Sequence, residues 1–177
     1  MDFNFTPEQD SLRDMVARLV REQYDFDTRR KLAKGEPGWR PQMWAQFAEL
    51  GLLGAPFSEE AGGFGGGPIE AMIVMEEFGK GLVIEPYLQT VVVAGGLLKR
   101  AGSQAQRDET LAGVIGGEVI CGFAYAEPKG RFNLADLTTT ARKEGAGFVL
   151  NGHKAVALGA PMATHLVVTA RTSGGQR

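Results

Sequence analysis

Apolar positions in the first two-thirds of the chain recur at helical spacing, whereas in the last third they run together or alternate. Thr6-Pro7-Glu8-Gln9 is a capping-box start with proline in the first turn. Leu12, Met15, Val16, Leu19 and Val20 then fall on one stripe of a helix expected to run to about Tyr24. Residues 27–34 are charged and read as a short helix or turn, and residues 35–41, broken by glycine and proline, as a connector. A helix from Pro41 should turn Trp44, Phe47, Ala48 and Leu50 inward and stop at Gly51. Leu52-Leu53-Gly54-Ala55-Pro56 follows as an apolar elbow. Pro68 opens another helix, with Ile69, Met72, Ile73, Met75 and Phe78 toward the core. The stretch from Glu85-Pro86-Tyr87 to Leu98 is apolar nearly all round, which is the composition of a central helix. Ser103 and Gln106 form a second capping box, opening a fifth helix through Leu111, Val114 and Ile115.

The period changes at Gly116-Gly117. Strands are expected over residues 119–126, 137–143, 148–150, 153–158 and 164–171, with Asn151-Gly152 as a tight hairpin turn between two of them. Pro128 cannot donate to a ladder and ends the first strand. Helices first and strands second define an α+β chain: a helical domain over residues 1–117, then the start of a β-barrel or sandwich domain over residues 118–177. These few strands cannot close such a domain, and Thr172-Ser173-Gly174-Gly175-Gln176-Arg177 has linker composition. The expectation is a fragment, or a chain whose missing strands come from a partner. A terminal arginine after Gly-Gly also suits a trypsin-like cut.

Composition removes several function classes. With 44% hydrophobic residues the 177-residue chain can build an ordinary core, and 19 basic against 21 acidic side chains give no field to gather nucleic acid or an anionic membrane. Cys121 is the single cysteine and sits inside an apolar strand, so no intrachain disulfide or multi-cysteine metal site is expected. His153 and His165 are isolated, and both read as structural. No basic signal-peptide start and no apolar run near ~18 residues are present, so the expected location is cytoplasmic. The 25 glycines follow no period, and Gly62 to Gly67 follows an elbow rather than a strand, so it reads as a loop and not a phosphate fingerprint.

The chemical interest lies in the strand Val119-Ile120-Cys121-Gly122-Phe123-Ala124-Tyr125-Ala126 and the Glu127-Pro128 that closes it. Together with Phe47-Ala48-Glu49-Leu50-Gly51-Leu52-Leu53-Gly54, Pro56, Glu59-Glu60-Ala61-Gly62-Gly63 and Asn151-Gly152-His153-Lys154, it resembles the acyl-CoA dehydrogenases over the whole chain. The match covers that family's N-terminal helical domain and much of its middle β domain, and the expectation is a chain without its C-terminal helical domain. The resemblance implies an FAD-dependent α,β-dehydrogenation of an acyl-CoA thioester. The family's catalytic carboxylate lies in the C-terminal domain, so no catalytic residue is assigned here.

By resemblance, Phe123, Tyr125 and Ala126 would line the flavin and the acyl chain, and Val156 and Leu158 would form the second flavin segment. Arg131 and Phe132 would meet the substrate, Arg131 at a CoA phosphate, although a solvated loop arginine is an equal reading. The family usually has Thr at Ala126, an aromatic at Val156 and a hydroxyl residue at Leu158, and Gly-Ser-Asp where this chain has Arg131-Phe132-Asn133. Each absent hydrogen bond costs on the order of 0.5–1.5 kcal/mol. Such departures match small subunits resembling that of pimeloyl-CoA dehydrogenase, or of enzymes acting on steroid side-chain thioesters, which pair with a homologous large subunit. The expectation is therefore FAD bound weakly or shared with a partner, with this chain part of the small subunit of a heteromeric enzyme and the fragment itself inactive; the partner is a homologous large subunit or, in the alternative, further copies in a homo-oligomer. A non-catalytic assembly or binding subunit is the alternative. Glu127 is either an orienting acid beside the site or a strand-end carboxylate capping nearby amides, and the second is preferred.

Overall fold

The structure is a computed structural model that describes residues 4–131 and 133–172; Phe132 and the Ser173-to-Arg177 tail, including the proposed cleavage end, lie outside the described residues. The chain divides into two compact units, the first ending at Val119 and the second beginning at Ile120. Each is described by itself.

The first unit is helical. Helix α1 (Pro7–Gln23) starts as its sequence dictates: Thr6 Oγ1 accepts from the Gln9 amide at 3.3 Å, and Gln9 Oε1 accepts from the Thr6 amide at 3.0 Å. Helix α2 (Phe26–Leu32) is capped by Asp25, and α3 (Pro41–Glu49) begins on a proline whose missing N–H would have been unpaired in any case. Helix α4 (Pro68–Gly81) packs along α1. A rod that is π-helical over Leu88–Gly95 and α-helical over Gly96–Ala101 forms α5. A second composite rod, Gln104–Gln106, Arg107–Leu111 and Ala112–Gly116, forms α6 and carries the Ser103–Gln106 capping box.

An aromatic chain joins α3, α4 and the start of α5. Phe47 stacks on Phe78 at 4.7 Å, Trp44 meets Phe47 edge-on at 6.3 Å, and Tyr87 meets Phe78 edge-on at 5.3 Å. The polar ends are satisfied: Tyr87 donates to the Leu52 carbonyl at 3.0 Å and Trp44 Nε1 to the Gly117 carbonyl at 3.0 Å. Leu52 and Leu53 of the apolar elbow are fully buried. A Cβ on Gly63 would lie 2.6 Å from the Gly54 carbonyl oxygen, so this glycine is required by close approach.

Expected inward or central placements fail on α3, α4 and α5. Ile69 and Met72 are 48% and 49% exposed, because the covered stripe of α4 runs through Ile73, Val74, Glu77 and Phe78. Glu77 is tolerated there because Lys80 reaches its carboxylate at 2.6 Å. Helix α5 is buried at Thr90, Val91, Ala94 and Gly95 but exposes Leu88 and Leu97, so it is covered on one side and is not central. Leu50, expected inward on α3, is 38% exposed.

Among the described residues the second unit holds five strands: β1 (Cys121–Ala126), β2 (Thr140–Glu144), β3 (Gly147–Asn151), β4 (Val156–Leu158) and β5 (His165–Val168). They form a three-stranded sheet of order β4-β1-β5 and a separate β2-β3 hairpin. Strand β1 pairs antiparallel with β4 and parallel with β5. The hairpin turns at Gly145, which has a φ of 59°.

Asn151-Gly152 is not a hairpin turn. β3 returns to β2, whereas β4 leaves to pair with β1, and Gly152 keeps an ordinary φ. Its lack of a side chain serves another purpose, since a Cβ would collide with Thr139. Strand β2 also starts later than expected, at Thr140, because residues 138–139 turn their amides to a carboxylate described below.

Candidate functional site

The five residues singled out for a flavin face come together on the β1–β4 pair. Phe123 lies opposite Leu158, and Ala126 opposite Val156. Three steps along β1 therefore match two along β4, which is a β-bulge. Its consequence follows from strand geometry. Directly paired residues share a face, and so do residues two apart on one strand. Val156 and Leu158 share a face of β4, so Phe123 and Ala126 share that face on β1, although their odd spacing would separate them in a regular ladder. The Tyr125 ring stacks on Phe123 at 4.9 Å and 25°. The result is one apolar wall of Phe123, Tyr125, Ala126, Val156 and Leu158, with Val156 and Leu158 53% and 57% exposed.

Behind the wall lies a polar cluster. Glu127 follows β1 directly and is buried. Its Oε2 accepts from the Thr138 amide at 2.7 Å and the Thr138 hydroxyl at 2.5 Å; its Oε1 accepts from the Thr139 amide at 2.9 Å and Lys154 Nζ at 2.8 Å. Both carboxylate oxygens are thus doubly satisfied. The Lys154 ammonium, followed by the threonine donors, holds the Glu127 carboxyl well below the usual carboxylate range. Lys154 spends its other donors on the Thr169 hydroxyl at 3.1 Å and the Tyr125 carbonyl at 3.5 Å.

Glu127 is a carboxylate that caps nearby amides, as preferred from the sequence. Its partners Thr138, Thr139 and Lys154, and the Thr169 hydroxyl that Lys154 also holds, were not expected from the sequence. The one available signal was Lys154 itself, a charge placed just before an apolar strand. Arg131 is exposed on the following loop, in the left-handed region with φ 45°. Among the described residues no group of three His, Cys, Asp or Glu side chains could hold a metal, and no helix is long and apolar enough to cross a membrane.

The wall fits one part of a flavin and not another. The planar Phe123 and Tyr125 rings, with the half-exposed apolar Val156 and Leu158 beside them, suit a ring face. Ala126, Val156 and Leu158 bring no side-chain donor to a polar ring edge, so donors there must come from backbone N–H groups, such as those on the open edge of β4.

A helical unit followed by a β unit with this wall is the architecture of a flavoprotein oxidoreductase class. Residues 6–118 match the acyl-CoA dehydrogenase N-terminal domain and residues 122–177 its middle domain, and the chain belongs to the acyl-CoA dehydrogenase family, whose members are FAD-dependent oxidoreductases. It is 30% identical over 169 residues to acyl-CoA dehydrogenase FadE12 of Mycobacterium tuberculosis, covering 93% of this chain and 42% of that protein. It is 31% identical over 167 residues to mitochondrial isovaleryl-CoA dehydrogenase of Pongo abelii, covering 93% of this chain and 39% of that protein. Among solved structures, the ChsE4-ChsE5 complex from Mycobacterium tuberculosis has a chain that superposes with TM-score 0.87 at 27% identity, over 99% of this chain and 47% of that one. The Tcur3481-Tcur3483 steroid ACAD G363A variant gives 0.85 at 30% identity, over 95% of this chain and 46% of that one. The chain spans less than half the length of these relatives.

Proposed function

We propose that this chain is the N-terminal and middle part of an acyl-CoA dehydrogenase small subunit, working in a heteromer that dehydrogenates an acyl-CoA thioester between its α and β carbons. The observation that carries this reading is the wall itself. Ala126, Val156 and Leu158 share one face, and none has a side-chain donor. FAD, when bound, supplies the hydride acceptor for such a reaction. Phe123, Tyr125 and Ala126 would face the flavin or the acyl chain, Val156 would stand where the family has its aromatic wall and Leu158 where it has its hydroxyl donor, and Arg131 would meet a CoA phosphate. This face would hold FAD weakly or share it with a homologous large subunit. The relatives named as the ChsE4-ChsE5 and Tcur3481-Tcur3483 complexes support a two-subunit arrangement, and the pimeloyl-CoA type of small subunit is the finer assignment we favour.

The same wall also accommodates a second reading, a non-catalytic assembly subunit. Flavin absorbance of the full-length protein, purified alone and with its partner, separates the two. Flavin that appears only in the complex, at less than one per chain, supports the heteromer. A homo-oligomer with one FAD per subunit would refute it, and a complex free of flavin would favour assembly.

A further inference from the structure

We propose that Lys154 is a positioning residue that holds the β1 bulge in place and so keeps Ala126 on the face shared by Phe123, Val156 and Leu158. Part of its test rests on the flavin reading above; the bulge itself does not. The bulge spends one residue of β1 without a ladder partner, and such a residue needs something else to fix it. The Tyr125 carbonyl, which lies within the bulge, points at Lys154 Nζ at 3.5 Å. One residue beyond, the Ala155 amide donates to the Ala126 carbonyl at 2.8 Å, and beyond that the Glu127 carboxylate meets the same ammonium at 2.8 Å.

The ammonium therefore closes the open end of the bulge from the β4 side, at residues 125 and 127 of the β1 side. It cannot drift, because Thr169, just past β5, holds its third proton at 3.1 Å and its side chain is only 11% exposed. Glu127 is fixed in turn by residues 138–139. Without the ammonium, the Tyr125 carbonyl and the Glu127 carboxylate lose a shared donor. A regular ladder then competes, and a regular ladder turns Ala126 to the opposite face.

The test uses the full-length protein, with its partner where one co-purifies, and compares wild type with Lys154→Met and Lys154→Arg. Amide exchange of Ala155 reports the bulge without flavin; FAD affinity and the visible circular dichroism of bound FAD report the wall. In a folded Lys154→Met protein, Ala155 should exchange about tenfold faster or more, and FAD should bind about tenfold more weakly with an altered dichroic band. Lys154→Arg, which restores the charge and donors, should recover part of both. If Lys154→Met melts earlier but keeps Ala155 protection and the wild-type flavin band, the residue is merely stabilising and the proposal fails. Should Lys154→Met not fold, Thr169→Val replaces it, with faster Ala155 exchange expected and unchanged exchange overturning the proposal. A wild-type protein that binds no FAD sinks the flavin reading alone, and Ala155 exchange still decides the role of Lys154.

Discussion

Glu85 offers the sharpest test of the energetics of the helical unit. Its side chain is wholly buried ahead of α5; Oε1 accepts from the Arg40 amide at 3.2 Å, and Oε2 has no hydrogen-bond partner among the described residues. Arg40 Nε stands 3.9 Å away, too far for a hydrogen bond, and the guanidinium lies 4.3 Å over the Tyr24 ring while Nη1 donates to the Gln23 carbonyl. Burial therefore dominates and pushes the Glu85 carboxyl up to about 7 from an ordinary 4.5. The folded value lies above the unfolded one. The associated stability is thus fully present below about pH 4.5 and is lost as pH rises through about 7. A rise of roughly 2.5 units, at 1.36 kcal/mol per unit, makes this about 3 kcal/mol. Glu85→Gln keeps the shape and removes the titration. Urea unfolding of both proteins at pH 4.5, 6, 7 and 8 should show the wild type losing about 3 kcal/mol relative to the variant across that range. Parallel curves would mean that Arg40 keeps Glu85 ionised throughout, and would refute the reasoning. Asp25, which acts on Arg40, should be replaced by Asn in a control to exclude its share.

Other outcomes follow from the same contacts. Phe47→Ala, at a fully buried position stacked on Phe78, should cost about 3–5 kcal/mol by chemical denaturation. Gly152→Ala should cost roughly 1–3 kcal/mol, because its Cβ has to displace Thr139, whereas a true hairpin glycine would report a strained φ instead. Thr6→Ala should remove about 1 kcal/mol through loss of the α1 cap. Glu127 titrates in the opposite sense to Glu85: its depressed carboxyl contributes stability above about pH 4.5 that is lost as pH falls, so Glu127→Gln should flatten the acid limb of a melting-temperature profile. Leu158→Thr, which restores a hydroxyl to the wall, should tighten FAD binding in an equilibrium titration by a few-fold to about tenfold.

What the sequence made legible is what local chemistry decides. The Thr6–Gln9 and Ser103–Gln106 boxes work within four residues, so their side chains reveal the helix starts without knowledge of the fold. The inward stripe of α1 was equally plain at Val16, Leu19 and Val20, all buried. The errors come from choices made at a distance. Asn151-Gly152 satisfies every local rule for a hairpin, yet Val156 finds its partner at Ala126, far back in the chain, and the glycine answers to Thr139. On α4, Ile69 and Met72 are as apolar as Ile73, and only the placement of α1 decides which side of the helix is covered. The wall residues could be named from resemblance alone, but their sharing of one face could not, since it depends on a bulge that no spacing along β1 reveals.

The bulge changes how the three substitutions at the wall combine. On a regular ladder Ala126 would face away from Val156 and Leu158, and losing a hydroxyl there would be a separate event with its own cost. On the observed ladder all three positions look out from the same surface, next to the stacked Phe123–Tyr125 pair. A ring edge resting there meets no side-chain donor, so the losses fall on one ligand contact and compound as a product of binding constants. The cluster behind the wall has the opposite character, with each Glu127 oxygen accepting twice and Lys154 holding three acceptors. The chain therefore joins a well-fixed surface to a poorly equipped one. Under the heteromer proposed above, the polar edge of a flavin on this surface would be left for another chain to hold.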